Sequence, residues 1–154
     1  MRSLLWCASL LGVLLLGPAA FATSPPETAI AVIMAPGVAR PALSRDDLAL
    51  IFKRKKHFWA DGQRIQPVNL VASHPLRLAF SQQVFGRGPE ELDDYWRSLY
   101  FHGELPPYVL ASEEAVIRFV LSTPGAIGYV SHCLADHRVS VVMLLDAGAA
   151  CPPR

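Results

Sequence analysis

The chain has 154 residues, 14 Lys and Arg side chains, 13 Asp and Glu side chains and a formal net charge of +1. This near-neutral balance argues against a protein that binds nucleic acid through its overall charge. The length is enough for one ordinary domain with a hydrophobic core, and we find no internal repeat.

The start of the chain has the features of a secretory signal peptide. Arg2 supplies a short basic region, residues 4–16 are apolar, and Ala20-Phe21-Ala22 is a small-residue cleavage site. The apolar run is shorter than the roughly 20 residues that span a bilayer. We therefore predict export to the periplasm, with a signal peptide over residues 1–22, a flexible leader over residues 23–27 and a domain over residues 28–154.

Two cysteines remain after the predicted cleavage, because Cys7 lies inside the signal peptide. An even pair in an exported protein predicts a disulfide between Cys133 and Cys151, which would join the C-terminal tail to the domain. Two unpaired thiols are the alternative, since the sequence does not give the distance between them.

The first predicted elements of the domain are a strand and a short helix. Residues 28–34 are apolar and partly β-branched, which is typical of a buried strand. Ser44 and Asp47 have the spacing of a capping box. We therefore predict a helix that begins after Ser44 and buries an apolar face through Phe52.

A basic and aromatic run over residues 53–59 follows this helix. Such a run is compatible with a surface for nucleic acid or acidic lipid. It also complements the dipole at the helix C-terminus, with Phe58 or Trp59 packing on the body of the domain. We favour this second interpretation because the chain is predicted to be exported. Loss of Arg2 with the signal peptide also leaves 13 basic and 13 acidic side chains, so the mature chain is formally neutral.

The rest of the chain continues to alternate between strands and helices. Pro67 places the start of its strand at an edge or a bulge, because proline lacks the N–H group of the ladder. Alternating strands and helices predict an α/β domain with a mainly parallel or mixed sheet. We predict strands over residues 65–71, 126–130 and 139–145, an extended link or short strand over residues 106–110, and helices that begin near Ser73 or His74, at Pro89 and after Ser112.

The junction between the strand at residues 65–71 and the next helix is the candidate binding site. The strand pattern stops at Ser73, and a helical pattern begins with Pro75 in its first turn, so Ser73 or His74 lies near the N-cap. A helix N-terminus presents unpaired backbone N–H groups and the positive end of a dipole, which suits an anion. Simple capping by Ser73 is the alternative, since caps are far commoner than ligand sites.

Catalytic motifs are absent from the sequence, which has no Walker loop, GxSxG, HExxH or paired CxxC. His132, Cys133, Asp136 and His137 form the only cluster that resembles a ligand set, and a disulfide at Cys133 would remove its best metal ligand. We therefore predict a protein that is not an enzyme, with no catalytic residue, no metal site and no cofactor.

Three segments carry a resemblance to a known family: LSRDDLALIFKRKKHFWADGQRIQPVNL, LRLAFSQQVFGRGPEELDDYWRSLYFHGELPP and TPGAIGYV. Together they resemble the phosphate ABC transporter substrate-binding family, and in particular its short, single-lobe PBP-like relatives. The resemblance implies a single lobe of the periplasmic-binding-protein type II fold, a mixed sheet flanked by helices. In that fold, backbone amides and hydroxyls at helix N-termini hold the anion.

The resemblance implies an anion site at Ser73, with His74 and Arg77 as further donors. Relatives open this helix with Ser-Gly-Thr, and only Ser73 matches, while Pro75 supplies no N–H group. A salt bridge to an acid on its own surface is the alternative for Arg77. Arg54 is another departure, because relatives often have glycine there.

The function implied is that of a non-catalytic periplasmic receptor that binds phosphate or a similar oxyanion weakly, since one lobe leaves the ligand solvated on one side. The partners expected are inorganic phosphate or a related oxyanion, an ABC permease or membrane sensor, and a second copy in a homodimer, but no nucleic acid. The alternative is a ligand-free interaction module that docks an envelope or sensor partner. Phe58, Trp59 and Tyr129 would belong to its surface, although these aromatics are equally compatible with the core.

Overall fold

A computed structural model of the chain describes residues 29–37 and 41–145. The predicted signal peptide, the leader and Cys151 lie outside the described residues. No helix in the described ranges is long and apolar enough to cross a bilayer. The elements in chain order are β1 (Ile30–Met34), α1 (Arg45–Phe52), β2 (Gln66–Leu70), α2 (Pro75–Phe85), a 3-10 turn (Glu90–Leu92), α3 (Asp93–Tyr100), β3 (Tyr108–Leu110), α4 (Glu113–Ser122), β4 (Ala126–Ser131) and β5 (Ser140–Leu145).

The strands form one five-stranded mixed sheet in the order β3-β2-β4-β1-β5. β2 runs parallel to both β3 and β4, whereas β1 lies between β4 and β5 and is antiparallel to both. Because β2, β3 and β4 run in the same direction, their carboxyl-terminal ends lie along one edge of the sheet, which we call the carboxyl edge. α2 and α4 begin at this edge, directly after β2 and β3.

Helices cover both faces of the sheet. The ring of Phe80 in α2 stacks on Tyr129 in β4 with centroids 3.9 Å apart, and Phe52 of α1 lies 5.9 Å from the same tyrosine ring. A Cβ added to the preceding residue of β4, Gly128, would instead meet Val116 of α4. Because side chains alternate across a strand, α1 and α2 lie on one face and α4 on the other. The predicted α/β architecture, a mixed sheet flanked by helices, is confirmed.

Local features follow the sequence closely. The capping box of α1 is confirmed, since the Ser44 hydroxyl accepts from the Asp47 N–H and the Asp47 carboxylate accepts from the Ser44 N–H. At Pro67, β2 pairs with β4 on one side, while its pairing with β3 begins only at Val68. Pro67 therefore lies at a local edge of an otherwise interior strand, as its missing N–H requires.

The helix predicted to begin at Pro89 differs from the observed chain. The segment opens as the 3-10 turn, and α3 begins only at Asp93. Leu92 has φ −94° and ψ −2°, outside regular α geometry, and its side chain is buried. The predicted helix is therefore divided into two parts at Leu92.

Candidate anion-binding site

The N-cap of α2 is His74, one of the two residues predicted for that position. Its Nδ1 accepts from the Leu76 N–H at 3.2 Å, and its backbone carbonyl accepts from the N–H groups of Arg77 and Leu78. The His74 N–H itself donates to the carbonyl of Val71, and Pro75 has none. The prediction of unpaired backbone N–H groups is therefore wrong for the first turn of this helix, because the cap residue and its ring nitrogen already satisfy them.

Ser73 lies just outside the helix with an exposed side chain. It does not cap α2, and its hydroxyl makes no hydrogen bond to any residue that the structure describes. The ring of His74 accepts through Nδ1, so in its neutral form the ring carries its proton on Nε2. The Ser73 hydroxyl and the His74 Nε2–H are thus the two polar side-chain groups that precede the helix.

Arg77 is the charged residue buried in this region. It is only 7% exposed, and its Nε and Nη1 atoms are buried without a hydrogen-bond partner. No carboxylate among residues 29–37 and 41–145 lies within salt-bridge distance of it. The alternative of a surface salt bridge for Arg77 is therefore wrong. A guanidinium without a counter-charge is costly in such a place, because burial removes its hydration.

A tyrosine hydroxyl and an asparagine lie beside this arginine. The Tyr129 hydroxyl accepts from the Leu70 N–H and donates to Asn69 Oδ1, both at 3.3 Å. Burial raises the pKa of Tyr129, and the positive charge of Arg77 together with a hydrogen bond from its guanidinium opposes that shift, so only the Nε and Nη1 atoms of Arg77 are left without a partner. Ser81, one helical turn after Arg77, is fully buried and its hydroxyl has no partner. Arg77, Tyr129 and Asn69 are therefore neighbouring buried polar groups next to the carboxyl edge, and Ser81 lies one turn further along α2.

Sequence reasoning named Ser73, His74 and Arg77 but missed Asn69, Ser81 and Tyr129. Asn69 interrupts the apolar pattern of its strand, and Ser81 follows Arg77 at the spacing of one helix face. Those two signals were available in the sequence. Tyr129 carried none, because its contact with Asn69 joins residues that are 60 positions apart.

The ends of α4 and β4 complete the carboxyl edge. The Glu113 carboxylate, at the first position of α4, accepts from the Ser131 N–H at the end of β4. The next residue, His132, has a buried Nδ1 without a partner. The edge therefore holds one carboxylate that is already engaged, together with Arg77 and His132, which each have a buried nitrogen atom without a hydrogen-bond partner.

The polar segment after β4 does not have the contacts of a metal site. Arg138 binds both Asp136 and Glu114, with its Nη1 2.8 Å from the Glu114 carboxylate, and it lowers the pKa of both carboxyls. Among the described residues, no three His, Cys, Asp or Glu side chains are placed to hold a metal ion. Cys133 is disulfide-bonded. Its pairing with Cys151 stays a prediction, because Cys151 lies outside the described ranges.

The three aromatics named for a docking surface have different environments. Phe58 is exposed, but Trp59 and Tyr129 belong to the core. The Trp59 indole N–H donates to the carbonyl of Gly125 at 3.1 Å, which anchors the ring to the turn before β4. Of the two interpretations left open by the sequence, the core is correct for Trp59 and Tyr129.

The chain was compared with known proteins. No protein-family model matches it, and no curated protein does. Solved structures do resemble it. One is a phosphate ABC transporter substrate-binding protein from Clostridium perfringens with bound phosphate, with a TM-score of 0.61 and 22% identity over 75% of this chain and 45% of that one.

Two further structures resemble the chain to a similar extent. An ABC-type phosphate transport receptor from Vibrio cholerae matches with a TM-score of 0.59 and 18% identity, over 75% of this chain and 46% of that one. PstS from Borrelia burgdorferi matches with a TM-score of 0.51 and 17% identity, over 71% and 43%. The chain thus spans less than half the length of these proteins. The predicted resemblance to phosphate ABC transporter substrate-binding proteins is confirmed as a likeness of fold, limited to a single lobe.

Proposed function

We propose that this chain is an exported, non-catalytic, receptor-like protein that binds phosphate or a similar oxyanion at the carboxyl edge of its sheet. The observation that carries the proposal is Arg77, whose buried guanidinium has two nitrogens without partners and no carboxylate beside it among the described residues. An anion would supply the missing acceptor and charge at once. The likeness of fold to phosphate receptors supports the same choice of ligand.

The donors proposed for the anion are side chains. The backbone N–H groups of the first turn of α2 are engaged or absent, as described above. The Ser73 hydroxyl, the His74 Nε2–H and the Arg77 guanidinium are therefore the groups that we assign to the ligand. Three side-chain donors from one lobe leave much of an oxyanion in water, so we expect a dissociation constant near the millimolar range, about −4 kcal/mol.

A partner would strengthen this binding if it covered the open side of the ligand. A second copy of the chain would do so, and so would an ABC permease or a membrane sensor. All three remain part of the proposal, as does a periplasmic location, since the predicted signal peptide lies outside the described residues.

Calorimetric titration of the purified protein with phosphate, with sulfate as control, tests the proposal. Arg77→Met should weaken phosphate binding at least tenfold. Arg87→Met, which removes the same charge from an exposed position, should change it less than twofold. A flat trace for the wild-type protein up to 10 mM phosphate would refute the function, and unchanged binding by Arg77→Met would refute the site.

A second candidate function, an interaction module, is favoured by the exposed surface around α3 and β3. Large apolar side chains are exposed there at five nearby positions: Tyr100, Phe101, Leu105, Tyr108 and Val109. Exposed patches of this kind mark protein contacts more often than isolated residues do. Ser73→Ala distinguishes the two functions, because it should weaken anion binding and leave protein docking unchanged.

A further inference from the structure

A cleft, which we call the second cleft, lies at the edge of the sheet where β2 and β3 begin. This edge is opposite to the carboxyl edge, where the candidate anion site lies. The volume of the second cleft is about 220 Å³. Arg54, Arg64 and Gln66 line one part of it, and Pro107 and Tyr108 belong to an apolar part that also includes their neighbours on the chain. The cleft therefore combines two positive charges with apolar walls.

Arg54 holds an unusual backbone conformation at this cleft. Its φ is +58°, and it is the non-glycine residue with positive φ in the described chain. Glycine adopts this left-handed region without strain, whereas a residue with a Cβ does not. Arg54 therefore adopts a backbone conformation that favours glycine. What Arg54 has at this position that a glycine would lack is the guanidinium side chain.

The guanidinium of Arg54 is only partly satisfied. Its side chain is 13% exposed, and Nη1 donates to the carbonyl of Ile65 at a long 3.4 Å. Nε is buried without a hydrogen-bond partner, and the carboxylate of Glu104 lies 3.8 Å from it. Arg54 therefore lines the cleft with a guanidinium whose hydrogen-bonding capacity is only partly used by described residues.

Arg64 is the second charged residue of the cleft, and two contacts hold its backbone in place. A Cβ on Gly125 would lie 2.2 Å from the Arg64 carbonyl oxygen, so the two segments are in close contact, and Arg64 also forms a β-bridge with Phe58. Its exposed side chain makes no ion pair with any described residue. Two guanidinium groups against the one carboxylate of Glu104 leave a net charge of +1 at the cleft.

The chemistry of the lining selects a class of ligand. Guanidinium groups recognise planar carboxylates through paired hydrogen bonds, and a net charge of +1 matches a monoanion better than a phosphate dianion. The prolines of the wall have no N–H group, and Tyr108 presents an aromatic ring, so this side suits an apolar body. The volume is below that of clefts for drug-sized molecules, which start near roughly 300 Å³.

We propose that this cleft binds a small organic carboxylate, a monoanion with an apolar body about the size of benzoate, between Arg54 and Arg64. The proposal does not depend on phosphate binding at the carboxyl edge, because the two places share no residue. It adds a second ligand, of a different chemical class, to the same lobe.

An NMR titration of the ¹⁵N-labelled protein with benzoate tests the proposal. We expect saturable shifts at the backbone amides of Gln66 and Tyr108. Arg64→Gln should weaken binding at least fivefold, whereas the matched exposed control Arg87→Gln should change it less than twofold. Shifts that do not saturate, shifts centred elsewhere, or wild-type affinity in Arg64→Gln would overturn the proposal.

Arg54→Gly separates a ligand role from a structural role. Glycine relieves the left-handed strain, so the variant should keep or raise the midpoint of thermal unfolding while it loses benzoate binding at least fivefold. A lower midpoint together with unchanged benzoate affinity would assign Arg54 a structural role and overturn the proposal. Phosphate is the control ligand in a competition experiment. If phosphate at equal concentration displaced benzoate, the proposed selectivity for a carboxylate would be refuted.

Discussion

Replacing Arg77 by methionine should stabilise the protein in the absence of phosphate. Arg77 is 7% exposed, and two of its guanidinium nitrogens are buried without partners. Each unsatisfied buried donor costs about 1–3 kcal/mol, whereas methionine retains much of the apolar stem and packs flexibly. The loss of the favourable charge beside the Tyr129 hydroxyl offsets part of this gain. We expect a net stabilisation of about 1–3 kcal/mol, within the range known for replacing buried ions by apolar side chains.

The same substitution should remove most of the response of stability to phosphate. A ligand that binds only the folded protein stabilises it by RT ln(1 + [L]/Kd), which is about 1.4 kcal/mol for a Kd of roughly 1 mM and about 10 mM phosphate. The wild-type protein should show this increment, and Arg77→Met, whose phosphate binding is at least tenfold weaker, should show about 0.4 kcal/mol or less. The substitution therefore has opposite effects on ligand-free stability and on phosphate-linked stability.

Urea unfolding followed by tryptophan fluorescence measures both effects, with the buried Trp59 as a probe. Each protein is unfolded in phosphate and in chloride of matched ionic strength. Arg87→Met is the control, and it should differ from wild type by no more than about 0.5 kcal/mol in either buffer. The reasoning fails if Arg77→Met is less stable than wild type in chloride, or if it gains as much stability from phosphate as wild type does.

Two further predictions concern the scaffold. Gly128→Ala should destabilise the domain by about 1–3 kcal/mol, because the added Cβ would lie 2.6 Å from Val116 and 2.8 Å from Val68. An unchanged midpoint of urea unfolding would contradict this packing. The Asp47 carboxylate has its pKa lowered to about 2, chiefly by its hydrogen bond from Lys56. Its contribution to stability should therefore be complete above the unfolded pKa of about 3.9 and be lost as the pH falls toward 2. Because the pair is partly exposed we expect about 1 kcal/mol or less, and an Asp47→Asn variant with the same acid unfolding curve as wild type would refute this account.

Part of the candidate site followed from the sequence. The change from a strand pattern to a helical pattern at Ser73 placed the start of α2 within a residue, since His74 is its N-cap. The same pattern led to the wrong expectation of free backbone N–H groups, because it does not show that the His74 ring turns back onto the Leu76 N–H. Asn69 and Tyr129 were missed for a related reason, since their contact exists only once β2 and β4 are paired.

The basic run after α1 shows the same limit. Its residues have separate roles in the structure: Lys56 pairs with Asp47 at 2.8 Å, Lys53 lies over the ring of Phe85, and Arg54 lines the second cleft. The sequence predicted a run that complements the end of a helix, and it described all these residues as one feature. Their distribution depends on how the chain turns at Arg54, which has a conformation that its residue type does not favour.

The sequence alone determined most of the elements of this protein, because caps, turns and apolar periodicity act between residues a few positions apart. Ser44 with Asp47, Pro67 in its strand and the alternation of strands with helices all belong to this local class. Only the tertiary structure decided the strand order, the burial of Trp59 and Tyr129 and the isolation of the Arg77 charge. These properties depend on pairing and packing between distant segments, and the cost of burying a charge appears only when the whole domain surrounds it.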